Sequence, residues 1–191
     1  MYHIKDDQRS IRSAQMLYEG LSRLMREQDF SSISVTDLVE ASQVGRATYY
    51  RNFDEIEDIL RLQSDQIFDD MIQYIIAYVQ EHGNESRMLL LKPVLRYFDT
   101  RSEIIELLVK ANRLDIAMAS LHRAVAPFKT RTLAYLSIDE TYIDYIITIR
   151  IGIVMNILVQ WIENGKQQPP DKLADLLSVM IKNMVTLDQL L

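Results

Sequence analysis

The residues whose types and spacing point to chemistry lie in one short run, Arg46-Ala47-Thr48-Tyr49-Tyr50-Arg51-Asn52. On a helix, at about 100° per residue, Arg46, Ala47 and Tyr50 share one face, while Tyr49 and Phe53 share another. The first face suits the edge of a DNA base pair. The Arg46 guanidinium offers two donors that match guanine O6 and N7, and the methyl groups of Ala47 and Thr48 fit the methyl of thymine. The Thr48 hydroxyl can reach a base or a phosphate. Tyr50 and Asn52 supply neutral donors to phosphate oxygens, contacts that set register without reading sequence. Tyr49 and Phe53 are suited instead to packing on Val44, Leu38 and Leu17. Taken alone, Arg46 could equally be a solvated charge and Tyr50 a half-buried ring.

Other elements must hold that run in place. Residues 9–27 carry Ile11, Ala14, Leu17, Tyr18, Leu21, Leu24 and Met25 at spacings of three and four, the pattern of an amphipathic helix. QDFSSIS breaks it. Ser34 with Asp37 three residues on is a capping signature, and Val35, Leu38 and Val39 predict a helix of about two turns behind it. SQVG then leads straight into the second short helix. Two helices joined by three or four residues is the helix-turn-helix plan, whose second helix enters the major groove. The free N–H groups at the Ser34-capped end suit a further phosphate. The same shape also occurs in proteins that never meet DNA.

The remaining chain also reads as helix. One long helix is predicted from Glu55 to about His82, ending at Gly83. Others follow at 86–98, 102–111, 114–126, 138–164 and 171–190. Pro93 implies a kink in the first of these or a later start. Ser137 with Glu140 forms a second capping box, Gly165 is a natural stop, and Pro169-Pro170 separates the last two helices. Only 5 Gly and 4 Pro occur in 191 residues, too little turn chemistry for a sheet, so the fold class is all-α.

Composition narrows the chemistry. No cysteine is present, which excludes a disulfide framework, a zinc ribbon and a thiol nucleophile, and is compatible with the cytoplasm. His3, His82 and His122 are scattered, and no HExxH, Walker loop, GxGxxG or G-x-S-x-G occurs, so no enzyme, metal site or cofactor is indicated. The net charge of −6 makes any nucleic-acid contact local. Residues 1–53 hold seven basic and seven acidic side chains, so 54–191 carry the whole excess of acid. No apolar leader opens the chain. The most apolar stretch, Ile146 to Ile162, contains Arg150, Asn156 and Gln160 and falls short of the about 20 residues a membrane span wants, so it reads as a buried helix.

Ile11, Ala14, Leu17, Tyr18, then Val35, Leu38, Ala41, Val44, then Thr48, Tyr50, Phe53, Ile59 and Leu60 stand in register without gaps. Over these 50 residues the chain resembles the DNA-binding region of the TetR family of bacterial transcriptional regulators. The resemblance implies a helix-turn-helix domain over 1–54 and a helical effector-binding and dimerisation domain over 55–191. It also implies a homodimer on a palindromic operator. Family roles fall on Thr36, Arg46, Ala47, Thr48, Tyr50 and Asn52, and Ser34 joins them as a DNA-binding candidate through the end of its helix. There are departures. The turn glycine is Gln43, the Ser that caps the recognition helix is Gly45, and the helix-end His is Asn52. The phosphate-gripping Lys is Ile56, inside the acidic run Asp54, Glu55, Glu57 and Asp58. Lys5, Arg9 and Arg12 are candidate substitutes. The rival reading is a TetR-like coactivator or adaptor that docks a protein and has lost DNA affinity.

The C-terminal part fits this plan on its own pattern. Leu173, Leu177, Met180, Met184, Leu187 and Leu191 form a stripe, widened by Leu176, Ile181, Val185 and Leu190, that can serve a core and a partner together. Helix 138–164 is apolar almost all round, so the dimer is expected through 138–164 and 171–190. Arg150, among isoleucines with no acid at i±3 or i±4, needs a partner on another helix, another subunit or a ligand. Tyr74, Tyr78, Tyr97, Tyr142 and Tyr145, with Met118 and Met155, are either core or an amphipathic pocket. For a small-molecule effector the candidates are Tyr97, Met118, Tyr142, Tyr145 and Arg150. WIENG followed by PPDKLADLL resembles the end of a Firmicutes branch related to a dihydroxyacetone-kinase regulator.

Overall fold

The computed structural model describes residues 1–5, 7–83, 90–136 and 139–185, and every regular element among them is a helix. The Asp7 carboxylate accepts the Ser10 N–H at 2.8 Å and opens α1 (Gln8–Glu27). Its predicted stripe is buried at Ala14, Leu17, Tyr18, Leu21 and Met25, whereas Ile11 stays half in solvent. A 3-10 turn at Phe30–Ser32 leads to α2 (Val35–Ser42), which begins with the full capping box. Ser34 Oγ accepts the Asp37 N–H, and the Asp37 carboxylate accepts the Ser34 N–H at 2.9 Å. Gln43 takes the left-handed conformation that a turn glycine would take freely, φ 57°, at a cost of about 1 kcal/mol. Gly45 then opens α3 (Arg46–Asn52) without any side-chain cap.

The α1 helix packs on both α2 and α3. Where α1 crosses α2, Gly20 leaves no room for a side chain, since a Cβ there would meet Ser42 Cβ at 2.9 Å and Ser42 backbone at 3.0 Å.

The first residues of the chain form a strap across the end of α3. Tyr2 and Phe53 make an antiparallel bridge, in which the His3 N–H donates to Asn52 O at 2.8 Å and the Asp54 N–H to Met1 O at 3.2 Å. Below the strap begins α4 (Glu57–His82). The Tyr2 hydroxyl donates to Asp65 at 2.7 Å, and the Met1 ammonium donates to Asp54 at 3.0 Å and to Asp58 at 2.7 Å. Asp58 has no exposed side-chain surface. It also accepts from Arg61 at 2.7 Å and from the Glu55 N–H at 3.0 Å. Burial alone would push the Asp58 carboxyl up. The hydrogen bonds from the ammonium, Arg61 and Glu55 outweigh it and hold the group below its ordinary 3.8. The ammonium and then His3 lower Asp54 in the same direction.

Contacts divide the described chain into two compact units, 1–67 with 103–120 and 68–102 with 121–191. In the first, α6 (Glu103–Lys110) grips the C-terminal end of α1. Glu103 accepts from Ser22 at 2.7 Å and from Arg26 at 3.2 Å, and Lys110 donates to the Met25 carbonyl. Arg113 pairs with Glu57 and with Asp115 at the start of α7 (Leu114–Val125).

In the second unit, α5 starts at Leu91 and runs to Asp99, so Pro93 sits in its first turn, where its missing N–H costs nothing. The later start, not the kink, is what occurs. Residues 86–89 of the expected helix lie outside the described residues. Phe68 and Phe98 meet edge to face at 5.8 Å. The α5 helix packs on α10 (Pro170–Val185), with Arg96 donating twice to Asp171 at 2.6 Å and Lys92 pairing with Asp175 at 2.8 Å. A helix not anticipated, α8 (Lys129–Leu136), follows the 3-10 turn Ala126–Phe128. Pro127 and two threonines weaken its sequence pattern. Ser137 of the second capping box lies outside the described residues. Asp139 instead caps the turn Glu140–Tyr142, accepting the Thr141 N–H at 2.8 Å. The α9 helix (Ile143–Glu163) stops as expected at Gly165, φ 68°, where the Lys166 N–H returns to Trp161 O at 2.9 Å. Leu187, Leu190 and Leu191 of the last stripe lie outside the described residues.

The reading of α9 as buried all round is corrected. Ile143, Ile151, Met155, Leu158, Trp161 and Ile162 are buried, but the opposite face leaves Tyr142, Tyr145 and Ile149 in solvent. By length and composition alone, residues 140–163 would also be apolar enough to cross a membrane.

Two outcomes follow from this packing. Gly20→Ala should destabilise the protein by about 1–3 kcal/mol, because backbone rather than a flexible tip must give way, seen as a lower urea midpoint at unchanged slope. Asp58→Asn should cost about 2 kcal/mol at pH 7. Since folding lowers the Asp54 and Asp58 pKa values, their contribution is complete above about pH 4 and is lost as pH falls through the lowered folded values. The gap between wild type and Asp58→Asn measured at pH 7 should therefore shrink steadily below pH 4.

Candidate nucleic-acid interface

The seven residues of α3 separate into an inner and an outer face. Tyr49 and Phe53 are fully buried, 6.2 Å apart between ring centroids, and Val44, Leu38 and Leu17 are buried with them. Burial raises the Tyr49 phenol to about 12, and its hydroxyl has no hydrogen-bond partner among the described residues. Arg46 and Ala47 are exposed, Thr48 is half-exposed, and Tyr50 is 54% exposed with its ring edge on Tyr49 at 5.0 Å.

Arg46 is not a free arm. Its Nη2 donates to Thr36 Oγ1 at 2.8 Å, so the exposed Thr36 on α2 braces the guanidinium across the turn. Ser34 stands at the open end of α2, occupied by its cap: its hydroxyl donates to Asp37 Oδ2 at 2.7 Å, and these hydrogen bonds hold the Asp37 carboxyl below its ordinary value. The structure thus brings Thr36, Arg46, Ala47, Thr48 and Tyr50 onto the outer side of two adjoining helices, with Ser34 at the head of one.

Asn52 is different. It is 2% exposed, and its Oδ1 accepts from Ser10 Oγ at 3.0 Å. A seven-residue helix turns its last residue back toward the protein, and Asn52 lands against the start of α1 and beneath the strap. Its role is to hold α3, and it does not reach a phosphate.

The acidic run changes meaning once its partners are known. Asp54 and Asp58 hold the Met1 ammonium, Glu57 and Glu55 face Arg61 at 3.1 and 3.9 Å, and Glu57 also pairs with Arg113. Four carboxylates are therefore met by three cations beside α3, which sharply reduces the field expected to repel DNA. Sequence reasoning missed the strap residues, Tyr2 and His3 among them, because five extended residues carry no periodicity, and it missed Ser10 of α1, whose partner Asn52 is distant in sequence.

The residues expected around an effector differ in burial and in the unit that holds them. Tyr97 is buried and packs on Tyr74 at 5.6 Å, with the Arg101 guanidinium 4.9 Å from the centroid of its ring. Tyr142 and Tyr145 project into solvent at 62% and 70% exposure. Met118 falls in the first unit and the other four in the second. Arg150 is half-buried on α9 with no acidic partner among the described residues. No group of three metal-binding side chains occurs among the described residues.

Comparison with known proteins agrees with this architecture. Residues 85–183, just over half the chain, match the family described as "Transcriptional regulator C-terminal region", a C-terminal domain of TetR type. The crystal structure of Lin0861 from Listeria innocua superposes with a TM-score of 0.74 at 18% identity, covering 95% of this chain and 96% of that one. The TetR family repressor AlkX from Dietzia sp. strain DQ12-45-1b, implicated in biodegradation of n-alkanes, superposes with a TM-score of 0.51 at 17% identity, covering 91% and 95%. No curated protein matches in sequence. The matched C-terminal region and the all-helical fold shared with a TetR family repressor place this chain in the TetR family of transcriptional regulators.

Proposed function

We propose that this regulator binds a palindromic DNA operator as a homodimer, acts as a cytoplasmic repressor, and releases DNA in response to a small-molecule effector. One observation carries the reading. The outer face of α3 presents Arg46, braced by Thr36, beside Ala47, Thr48 and Tyr50, while full burial of Tyr49 and Phe53 fixes which way that face looks. Arg46 reads a guanine, Ala47 and Thr48 meet a thymine methyl, and Tyr50 and the Ser34 end of α2 hold phosphates. Asn52 is left out of the contact set. The functional division at 54/55 assigns the helix-turn-helix to the head and the remaining helices to dimerisation and effector binding.

Dimerisation through α9 and α10 is supported by what the single chain leaves uncovered. Tyr142 just before α9, Tyr145 and Ile149 on α9, and Leu176, Val179 and Met180 on α10, are each about half or more exposed. Large apolar side chains gathered on two helices mark an association surface. Tyr142 and Tyr145 belong to this face, which leaves Tyr97 and Arg150 of the second unit as the effector candidates there. An anionic group on the effector would complete Arg150. Switching requires that the effector bind the DNA-competent and incompetent dimers unequally. The likeness to the Firmicutes branch falls on the end of α9, its Gly165 stop and the first turns of α10. The adaptor reading keeps one support, Ile56 in place of a phosphate-gripping cation.

Selection from a random DNA pool at low salt should return a palindrome, whereas recovery without sequence preference would favour the adaptor. On the selected site, Arg46→Ala should cost about 1–3 kcal/mol and relax one base position per half-site, while Tyr50→Phe should weaken all sequences alike. Ile149→Glu with Leu176→Glu should yield monomers by light scattering and abolish binding to the full palindrome.

A further inference from the structure

A cavity in the first unit has a chemistry that the DNA reading does not use. It lies between the strap, α1 and the first turns of α4, and has a volume of about 110 Å³. Ile4, Ala14 and Ile59 give it apolar walls, and Gln15, Gln63 and Gln66 line it with primary amides. Ile11, the one residue of the α1 stripe left 50% exposed, stands at its edge.

We infer that this cavity binds a small uncharged amphipathic molecule, one hydroxyl or amide on an apolar body the size of a single ring. Size sets the body, since a dry cavity of about 150 Å³ accepts benzene and this one is slightly smaller but open on one side. The lining sets the charge. All of its polar side chains are neutral, so an ionised ligand would lose hydration without gaining a counter-charge. The lining also sets the polar group. Gln15 Nε2 already donates to Glu19 at 3.0 Å, leaving its carbonyl to accept, and the other amides can donate or accept. An apolar body would cover Ile11, which the free chain leaves in water.

The site lies under the strap that fixes the end of α3. Ile4 is flanked by His3, whose N–H holds Asn52 O, and by Lys5, whose N–H donates to Ser10 Oγ at 3.2 Å, the hydroxyl that in turn donates to Asn52. A molecule packed against Ile4 therefore stiffens the strap, and the Asp54 N–H bonded to Met1 O reports it.

Phenol, benzamide and sodium benzoate titrated into the full chain, followed by amide NMR, test the site without DNA. Phenol and benzamide should give saturable shifts, in the millimolar range, confined to amides near Ile4, Ala14–Tyr18 and Ile59–Gln66, with benzoate about tenfold weaker or absent. Exchange of the Asp54 N–H should slow several-fold in saturating phenol. Ala14→Leu, which fills the space, should remove the shifts. Gln63→Glu, at a half-exposed position, should weaken phenol about tenfold by placing a carboxylate in the lining, and serves if Ala14→Leu fails to fold. Linear, unsaturable drift, equal binding of benzoate, or shifts that survive both substitutions would overturn the site. Saturable binding with unchanged Asp54 exchange would overturn its link to α3. Failure of operator selection would leave these results standing, so the two readings fail separately.

Discussion

A seven-residue helix with a glycine for its cap is held by its packing, because about two turns of backbone hydrogen bonds cannot offset the cost of nucleation. For α3 that packing is the burial of two rings four residues apart. Removing Tyr49 and Phe53 from water contributes about 2–3 kcal/mol for each ring. It also sets rotation: with Tyr49 inward, 3.6 residues per turn carry Ala47 to the opposite side and Tyr50 to the flank, while Arg46, the first residue of the helix, is exposed and braced by Thr36. The orientation of every outward group therefore rests on the inner pair. The Tyr49 hydroxyl, without a partner in the described structure, shows that the site is shaped for a ring and not for its polar tip.

Rotation alone does not fix the far end of α3, and there the acidic run becomes intelligible. Asp58 is buried, so an uncompensated charge would be costly, yet it receives the ammonium, Arg61 and a backbone N–H. These hold the strap, and the strap holds Asn52 and Asp54. Carboxylates that would weaken DNA binding if free are turned into the anchors of the helix that would read it. What they do not restore is the cation replaced by Ile56. On the proposed reading, compensating positive charge would come from Lys5 and the exposed arginines of α1 and α3.

The two short helices, their turn and the inward aromatic pair were legible in the sequence because each rests on a local rule: a cap three residues from its acid, a period near 3.6, two rings at i and i+4. The stop at Gly165 is of the same kind. What was not legible depends on contacts distant in sequence. Asn52 reads as a phosphate donor until Ser10, 42 residues earlier, is seen to occupy it. The run 54–58 reads as repulsive until Met1, Arg61 and Arg113 are placed beside it. The α8 helix carries a weak apolar pattern broken by threonines, and periodicity could not show that α9 is covered on one side only, since its sequence is apolar on both.

That uncovered side of α9 bears on how a head with so few cations could bind DNA. A single head would spend its contacts on one half-site, and phosphate attraction is weak when only a few charges are neutralised. Joining two heads makes the second half-site an intramolecular encounter, so modest contacts multiply without any new one being added. On the proposed reading, an acidic chain with a neutral head would depend on its association surface more than a strongly basic one. Tyr145, Ile149, Leu176 and Val179, which do nothing for the isolated protomer but face water, are the residues through which that dependence would act. The same dependence would give the proposed effector its leverage: a ligand that shifted the arrangement of the pair need not touch α3 at all to abolish binding.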